Sequence, residues 1–421
     1  MNSYQQGLRE NLSQFLLLVL VNGFVGGMIG IERSIIPELA VSEFNITAKS
    51  ALLSFIVVFG VTKAFSNFFT GHYSNRYGRK RLLVAGWILA LPVPFLLIYA
   101  PNWNWVIGAN ILLGINQGLT WSSTVIMKID LVGPKNRGFA MGINESIGYV
   151  SVGLAALLTG VIAGKYGIRP YPFYLGIGFS LVGLFLSLWF VRDTKGYIEA
   201  EQSHSKAKPL SAVFSATTWQ HPNLGSITQA GLINNLNDAM VWGIFPLVLT
   251  SKGFELAEIG KIVAIYPMVW GLGQLITGKL GDHMLKKRLL FWGMLIQGFS
   301  ILGLLISSSP FSFMLVSCAM GIGTAIVYPN FMAAIADNTD PIQRPSSLGV
   351  FRLWRDLGYA FGAILTGWIA DRYSIDRAVL FVGLLTVISA LVIALRMNNK
   401  NDSLLTSNEL PSSTKKNTFK L

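Results

Sequence analysis

The chain has 421 residues, 52% hydrophobic and 13% charged, with a mean hydropathy of +0.52 and a formal net charge of +13. Twenty acidic residues cannot cover a soluble surface of this size. A span needs about 20 mostly apolar residues, and such runs recur here, which excludes a soluble multidomain protein. Their length also excludes a barrel of short alternating strands.

Twelve spans are predicted in chain order, near 14–37, 50–70, 82–100, 103–127, 139–163, 172–191, 224–249, 259–278, 289–307, 311–335, 347–370 and 378–395. The first lacks a cleavage-site pattern and reads as a span, not a leader. The fold class expected is an all-α polytopic membrane protein with twelve transmembrane helices in two six-helix bundles. Residues 1–191 form the first bundle, 192–223 a polar cytoplasmic linker, 224–397 the second bundle and 398–421 a disordered tail. With both termini on one side, that side carries twenty-one Lys and Arg against seven opposite, so both termini are expected in the cytoplasm. The positive charge then belongs to topology and a lipid bilayer, not to nucleic acid.

The halves repeat. Shifted by 207 residues without a gap, Thr70-Gly71 meets Thr277-Gly278 and Lys80-Arg81-Leu82-Leu83 meets Lys287-Arg288-Leu289-Leu290. Asp130, Pro134 and Arg137 meet Asp337, Pro341 and Arg344, and Gly142 meets Gly349. Two parallel six-span repeats imply a pseudo-twofold axis along the membrane normal and a site between them near the midplane.

Ionisable groups inside spans are costly and read as functional. Glu32, Arg33, Asp238 and Glu145 are the candidates for carrying a proton or touching substrate, with Arg33 alternatively reaching to the outer surface. Lys128 reads as an interfacial anchor. Asn116, Gln117 and Trp121 in "GINQGLTWSST", and Asn234 and Asn235 in "INNLNDAMVW", either line a cavity or act as polar glue between helices. Tyr266, Trp270, Gln274 and Tyr328 pose the same choice. The four histidines lack metal-ligand spacing, and the single Cys318 permits no internal disulfide or cysteine-based metal site. No Walker loop occurs, so neither an enzyme nor a cofactor is expected and transport must run on a solute or ion gradient.

Gly71-x-x-x-Asn75-Arg76-x-Gly78-Arg79-Lys80 resembles the loop motif between spans 2 and 3 of the major facilitator superfamily, and Gly278-x-x-x-Asp282-His283-x-x-Lys286-Lys287 its second copy. Asp130-x-x-x-Pro134-x-x-Arg137-Gly138 resembles the signature after span 4. The resemblance covers roughly 14–396. It implies that these loops clamp the cytoplasmic ends of the halves, with glycine allowing a tight turn, Arg76 pairing with Asp130 and Asp282 serving the second half. The chain departs from the family's drug exporters at Asn75, where the loop acid usually stands, and at Asn110, where many proton-driven exporters carry arginine in the cavity. Span 5 also lacks their glycine-proline pair. Span 2 faces span 11 in this family, so Lys63 and Asp356 are expected to bridge as an inter-bundle gate with Arg352 and Arg355 beside them; alternatively Asp356 pairs with Arg352 on its own helix. The function implied is proton-coupled secondary transport of a small organic solute across a bacterial cytoplasmic membrane by a monomer, leaning toward an anionic or zwitterionic substrate. The alternatives are a proton-driven multidrug efflux antiporter and a transporter-like sensor that binds without translocating.

Overall fold

The computed structural model describes residues 4–33, 35–45, 49–202, 210–254 and 256–398. Each expected span is a helix or a broken pair. Span 1 is α1 (Leu12–Arg33) with α2 (Ile36–Ser42), and span 2 is α3 (Lys49–Tyr77). Span 3 is α4 (Arg79–Ala90) with α5 (Pro92–Ile98), interrupted where Pro92 and Pro94 remove backbone donors. Then come α6 (Trp103–Val132), α7 (Arg137–Tyr166) and α8 (Tyr171–Trp189). The linker holds α9 (Lys195–Gln202), the single turn α10 (Val213–Ser215) and a π turn at Ala216–Gln220. The second half follows with α11 (Pro222–Gly243) and α12 (Phe245–Ser251), α13 (Leu256–His283), α14 (Lys286–Ile306), α15 (Pro310–Asp337), α16 (Arg344–Arg372) and α17 (Ile375–Arg396). Side-chain caps set several starts: Asn102 accepts from Asn104 N, Ser309 from Ser312 N and Ser374 from Arg377 N.

Among the described residues, eight helical stretches are long and apolar enough to cross a membrane on composition alone. The long helices outside that set are α6, α11, α13 and α16. Their polar side chains face inward, among them Asn116, Asn235, Gln274 and Arg352. Low hydropathy here marks the interior of the bundle. The outer surface is the reverse: Leu154, Leu157 and Val161 on α7 and Phe185 and Trp189 on α8 are exposed, forming the apolar exterior a bilayer requires.

Within the first half α1 packs on α7 and α4 on α6; within the second, α14 packs on α15 and α17. The halves meet along two helix crossings, α3 on α16 and α7 on α13. These crossings position everything that follows.

Candidate functional site

At the end of the bundle that carries the termini, both crossings close backbone to backbone. A Cβ added at Gly71 would lie 2.2 Å from the Pro345 carbonyl oxygen and 2.7 Å from Gly349 Cα. One added at Gly278 would lie 2.6 Å from the Gly138 carbonyl oxygen and 2.7 Å from Gly142 Cα. Gly71 and Gly278 are repeat mates, as are Gly142 and Gly349, so one contact occurs twice about the pseudo-twofold axis. The tight turn expected of the loop glycines is made by Gly78, at φ 85°, whereas Gly71 and Gly278 lie inside helices and serve the close approach.

Around these crossings the polar contacts are asymmetric. Asp282 accepts the first N–H groups of α7, from Gly138 at 2.7 Å and Phe139 at 2.9 Å, so a carboxylate of the second half caps a helix of the first. At the mate position Asn75 instead donates to the Ile342 carbonyl at 2.5 Å. The reason is in the repeat: Gly138 corresponds to Pro345, which has no N–H to give. An amide that donates has replaced an acid that accepts. Arg137 adds an ion pair across the halves to Asp337 at 3.2 Å.

The expected Arg76–Asp130 pair does not form. Arg79 Nε lies 3.3 Å from Asp130, and Thr194 of the linker donates to the same oxygen at 2.8 Å. Arg76 is exposed, with its guanidinium 5.4 Å from the centre of the Tyr77 ring. Gly78 reverses the chain, so the residue just past the turn points inward and the one before it does not.

Deeper, a hydrogen-bonded chain joins the halves. Glu145 accepts from Trp121 Nε1 at 3.1 Å and Asn144 Nδ2 at 2.6 Å, with Arg352 at 4.0 Å. Arg352 donates to Ser122 at 2.9 Å, Ser122 to Asn67 at 2.5 Å, and Asn67 to Asp356 at 2.5 Å. Arg355 holds the other Asp356 oxygen at 2.7–2.8 Å, joined by Asn235 at 3.4 Å. Glu145 and Arg352 are 207 residues apart, hence repeat mates; mates approach each other only near the pseudo-twofold axis, which places this pair on it.

The proposed Lys63–Asp356 bridge is corrected by the same geometry. Asn67, one turn along α3, reaches Asp356 first, and the Lys63 ammonium instead lies over the rings of Phe59 and Trp121 at 5.6 and 5.4 Å. The Arg352–Asp356 alternative fails too, because Arg355 takes that carboxylate. Lys128 is no interfacial anchor: it is fully buried and donates to Asn144 Oδ1.

Aromatic rings fill the space beside this network. The Tyr149 ring lies tilted against Trp270 at 4.2 Å and Trp121 at 5.5 Å, and its hydroxyl meets that of Tyr328 at 2.7 Å. The Arg355 guanidinium lies 5.3 Å over Tyr328. Pro267 and Pro329 follow Tyr266 and Tyr328 inside α13 and α15, each removing one backbone N–H from its helix beside the cluster. Several fully buried polar atoms here have no hydrogen-bonding partner: Trp270 Nε1, Arg352 Nε, Glu145 Oε2 and the whole amide of Gln274. Such groups are rare in a folded interior and call for an explanation.

Asp238, on α11, accepts from the hydroxyls of Tyr266 and Tyr359, the latter at 3.2 Å. Other expected lining residues are glue within one half: Asn116 donates to Gly86 O, Gln117 to Val25 O, and Asn234 accepts from Gln297. Asn110 donates to Val106 O and shares a small cleft with Glu32, Phe55 and Phe59, away from the central network. The side chain of Arg33 lies outside the described residues, as does most of the tail.

Sequence reasoning passed over Asn67, Asn144, Tyr149 and Tyr359. The repeat held the signal for two of them: Asn67 is the mate of Gln274, and Tyr149 the mate of Asp356.

Against known proteins, the Major Facilitator Superfamily profile matches residues 15–223 and 227–419. Multidrug resistance protein MdtG of Enterobacter lignolyticus (strain SCF1) is 23% identical over 382 residues, 88% of this chain and 89% of that protein. Multidrug resistance protein 2 of Bacillus subtilis (strain 168) is 22% identical over 410 residues, covering 95% and 99%. The fold resembles the crystal structure of the human organic anion transporter MFSD10 (TETRAN), with TM-score 0.72 and 14% identity over 90% of this chain and 99% of that one. It also resembles the proton:xylose symporter XylE bound to 6-bromo-6-deoxy-D-glucose, with TM-score 0.74 and 13% identity over 92% and 97%.

Proposed function

The chain belongs to the major facilitator superfamily, and on that premise we propose that it is a proton-coupled secondary transporter of a small organic anion or zwitterion. It works in a bacterial cytoplasmic membrane with both termini in the cytoplasm. Residues 1–191 and 224–397 rock as two bodies joined by the 192–223 linker, exposing the central site to each side in turn.

Charge carries the substrate class. Lys63, Lys128, Arg352 and Arg355 are buried within electrostatic reach of Glu145, and the carboxylates beside them are Glu145 and Asp356. Four basic side chains set against Glu145 and Asp356, with Asp238 also in reach of Arg355, leave an excess of basic groups in a low-dielectric interior, and an anionic substrate offsets it. The donors Trp270 Nε1 and Arg352 Nε give its oxygens places to bind, and the tilted Tyr149–Trp270 ring pair offers an apolar or aromatic body a surface to pack on.

A second reading, drug efflux, is favoured by the names of the bacterial relatives and by the same aromatic cluster. Proteoliposomes with an imposed pH gradient separate the two. Uptake of benzenesulfonate or tyrosine, with little movement of ethidium, is the expected result. Movement of ethidium alone establishes efflux of cationic drugs, and binding without movement of any probe establishes a sensor.

A further inference from the structure

We propose that Asp238, cradled by the hydroxyls of Tyr266 and Tyr359, is the group that takes up and releases the proton coupled to transport. The proposal rests on the transporter reading above and names the coupling site within it.

The buried carboxylates differ in their company. Glu145 faces Arg352 and two neutral donors, and Asp356 is gripped by two nitrogens of Arg355. Protonating either would strand a buried cation, which is costly. Asp238 is fully buried on α11, and its hydrogen-bond donors are two neutral phenols. It can accept a proton without leaving an arginine unpaired, because Arg355 keeps Asp356.

Apart from Arg355, the described surroundings of Asp238 are neutral. From α13 comes Tyr266; from α16 come Tyr359 and, further off, Arg355; α15 presents Thr324, bonded to Tyr266 at 3.2 Å. Towards α14 and α17 the same stretch of α11 bonds through Asn234 and Asn237 to Gln297 and Thr386, which do not titrate. The hydrogen bonds this carboxylate accepts therefore come from two hydroxyls that can be withdrawn.

Both hydroxyls are tied to the other half. Tyr266 lies one turn from Trp270, whose ring packs against Tyr149 of the first half at 4.2 Å. Tyr359 lies one turn from Asp356, which is bonded to Asn67 of the first half, and its Cβ is 3.9 Å from the Cβ position of Gly60 on α3. When the halves shift these first-half contacts are lost, and the Tyr266 and Tyr359 side chains can then leave Asp238 within a second half that otherwise moves as one body. A hydrogen bond donated to a carboxylate favours its charged form, so moving a phenol away raises its affinity for a proton. That links proton uptake to the state of the central site.

The test is infrared difference spectroscopy of the full chain reconstituted in lipid and titrated with pH. Wild type is expected to show a protonated-carboxyl stretch that titrates and is absent in Asp238→Asn. Tyr359→Phe, which removes one oxygen, should move that transition to higher pH by about one unit, a tenfold gain in proton affinity. Persistence of the band in Asp238→Asn, or an unmoved transition in Tyr359→Phe, overturns the proposal; the second arm decides if the first variant folds poorly. In proteoliposomes, Asp238→Asn should exchange benzenesulfonate while losing pH-driven accumulation, and retained accumulation would also overturn it. Failure of wild type to move benzenesulfonate, tyrosine or ethidium overturns both the transport reading and the coupling role, while the infrared titration still decides whether Asp238 binds a proton.

Discussion

Replacing Asp282 by alanine tests whether the contact between α13 and the start of α7 holds the termini end of the bundle shut. The carboxylate accepts two N–H groups at 2.7 and 2.9 Å from a helix in the opposite half, so the bonds exist only while the halves touch there. Removing an acidic helix cap costs about 0.5–2 kcal/mol, and its charge at the helix N-terminus adds about 0.3–1 kcal/mol. Asp282 is half-buried, and burial pushes its carboxyl up by more than the two N–H donors pull it down. Desolvation thus cancels the charge term and leaves the hydrogen-bonding part of the cap, about 1 kcal/mol, a factor of about five in a two-state ratio. The assay is pulsed electron resonance between spin labels at Arg81 and Arg288, exposed repeat mates at this end, in a Cys318→Ser background. Asp282→Ala should raise the ratio of long to short distances about fivefold. A distance distribution identical to that of the unaltered chain would refute the reasoning, because it would mean that the cap contributes nothing to closure.

Acidity should act on the same gate in a definite direction. The closed state holds the Asp282 carboxyl above its ordinary range, and opening to water restores it. The closed form is therefore favoured below the ordinary carboxyl range and loses that advantage as pH rises through the elevated value; Asp282→Asn should flatten this dependence in the same distance measurement. Gly278→Leu places a side chain where even a Cβ comes within 2.6 Å of Gly138 O, so it should force the long distance and lower thermal stability by about 1–3 kcal/mol. A reporter phosphatase fused after Leu421 should be inactive, and activity would overturn the cytoplasmic assignment of the C-terminus.

The twelve helices and their pairing were legible because apolar length and the 207-residue repeat are properties of order along the chain. Side-chain azimuth is not. Lys63 and Asp356 lie on facing helices, yet Asn67 one turn away holds the carboxylate. Arg76 was the expected partner of Asp130, and the turn at Gly78 brings Arg79 to it instead. Tyr149 and Tyr359 gave no signal of their own, since a lone tyrosine in a span reads as packing until its hydroxyl finds a partner on another helix. Polar runs such as Asn234–Asp238 were correctly seen as unusual, but the helix wheel splits them: Asn234 and Asn237 turn to α14 and α17, and Asn235 to Asp356 on α16.

The position of Glu145 and Arg352 on the axis also bears on how the two halves recognise each other. Only a residue on a twofold axis can meet its own counterpart. An assembly of two copies of the first half would set Glu145 against Glu145, and two copies of the second would set Arg352 against Arg352. Either puts like charges side by side in a buried, low-dielectric seam, where repulsion is strongest. The mixed pair alone is neutral. If the chain were cut in the linker and its halves were made separately, this one position would favour their joining as unlike partners and oppose each joining itself.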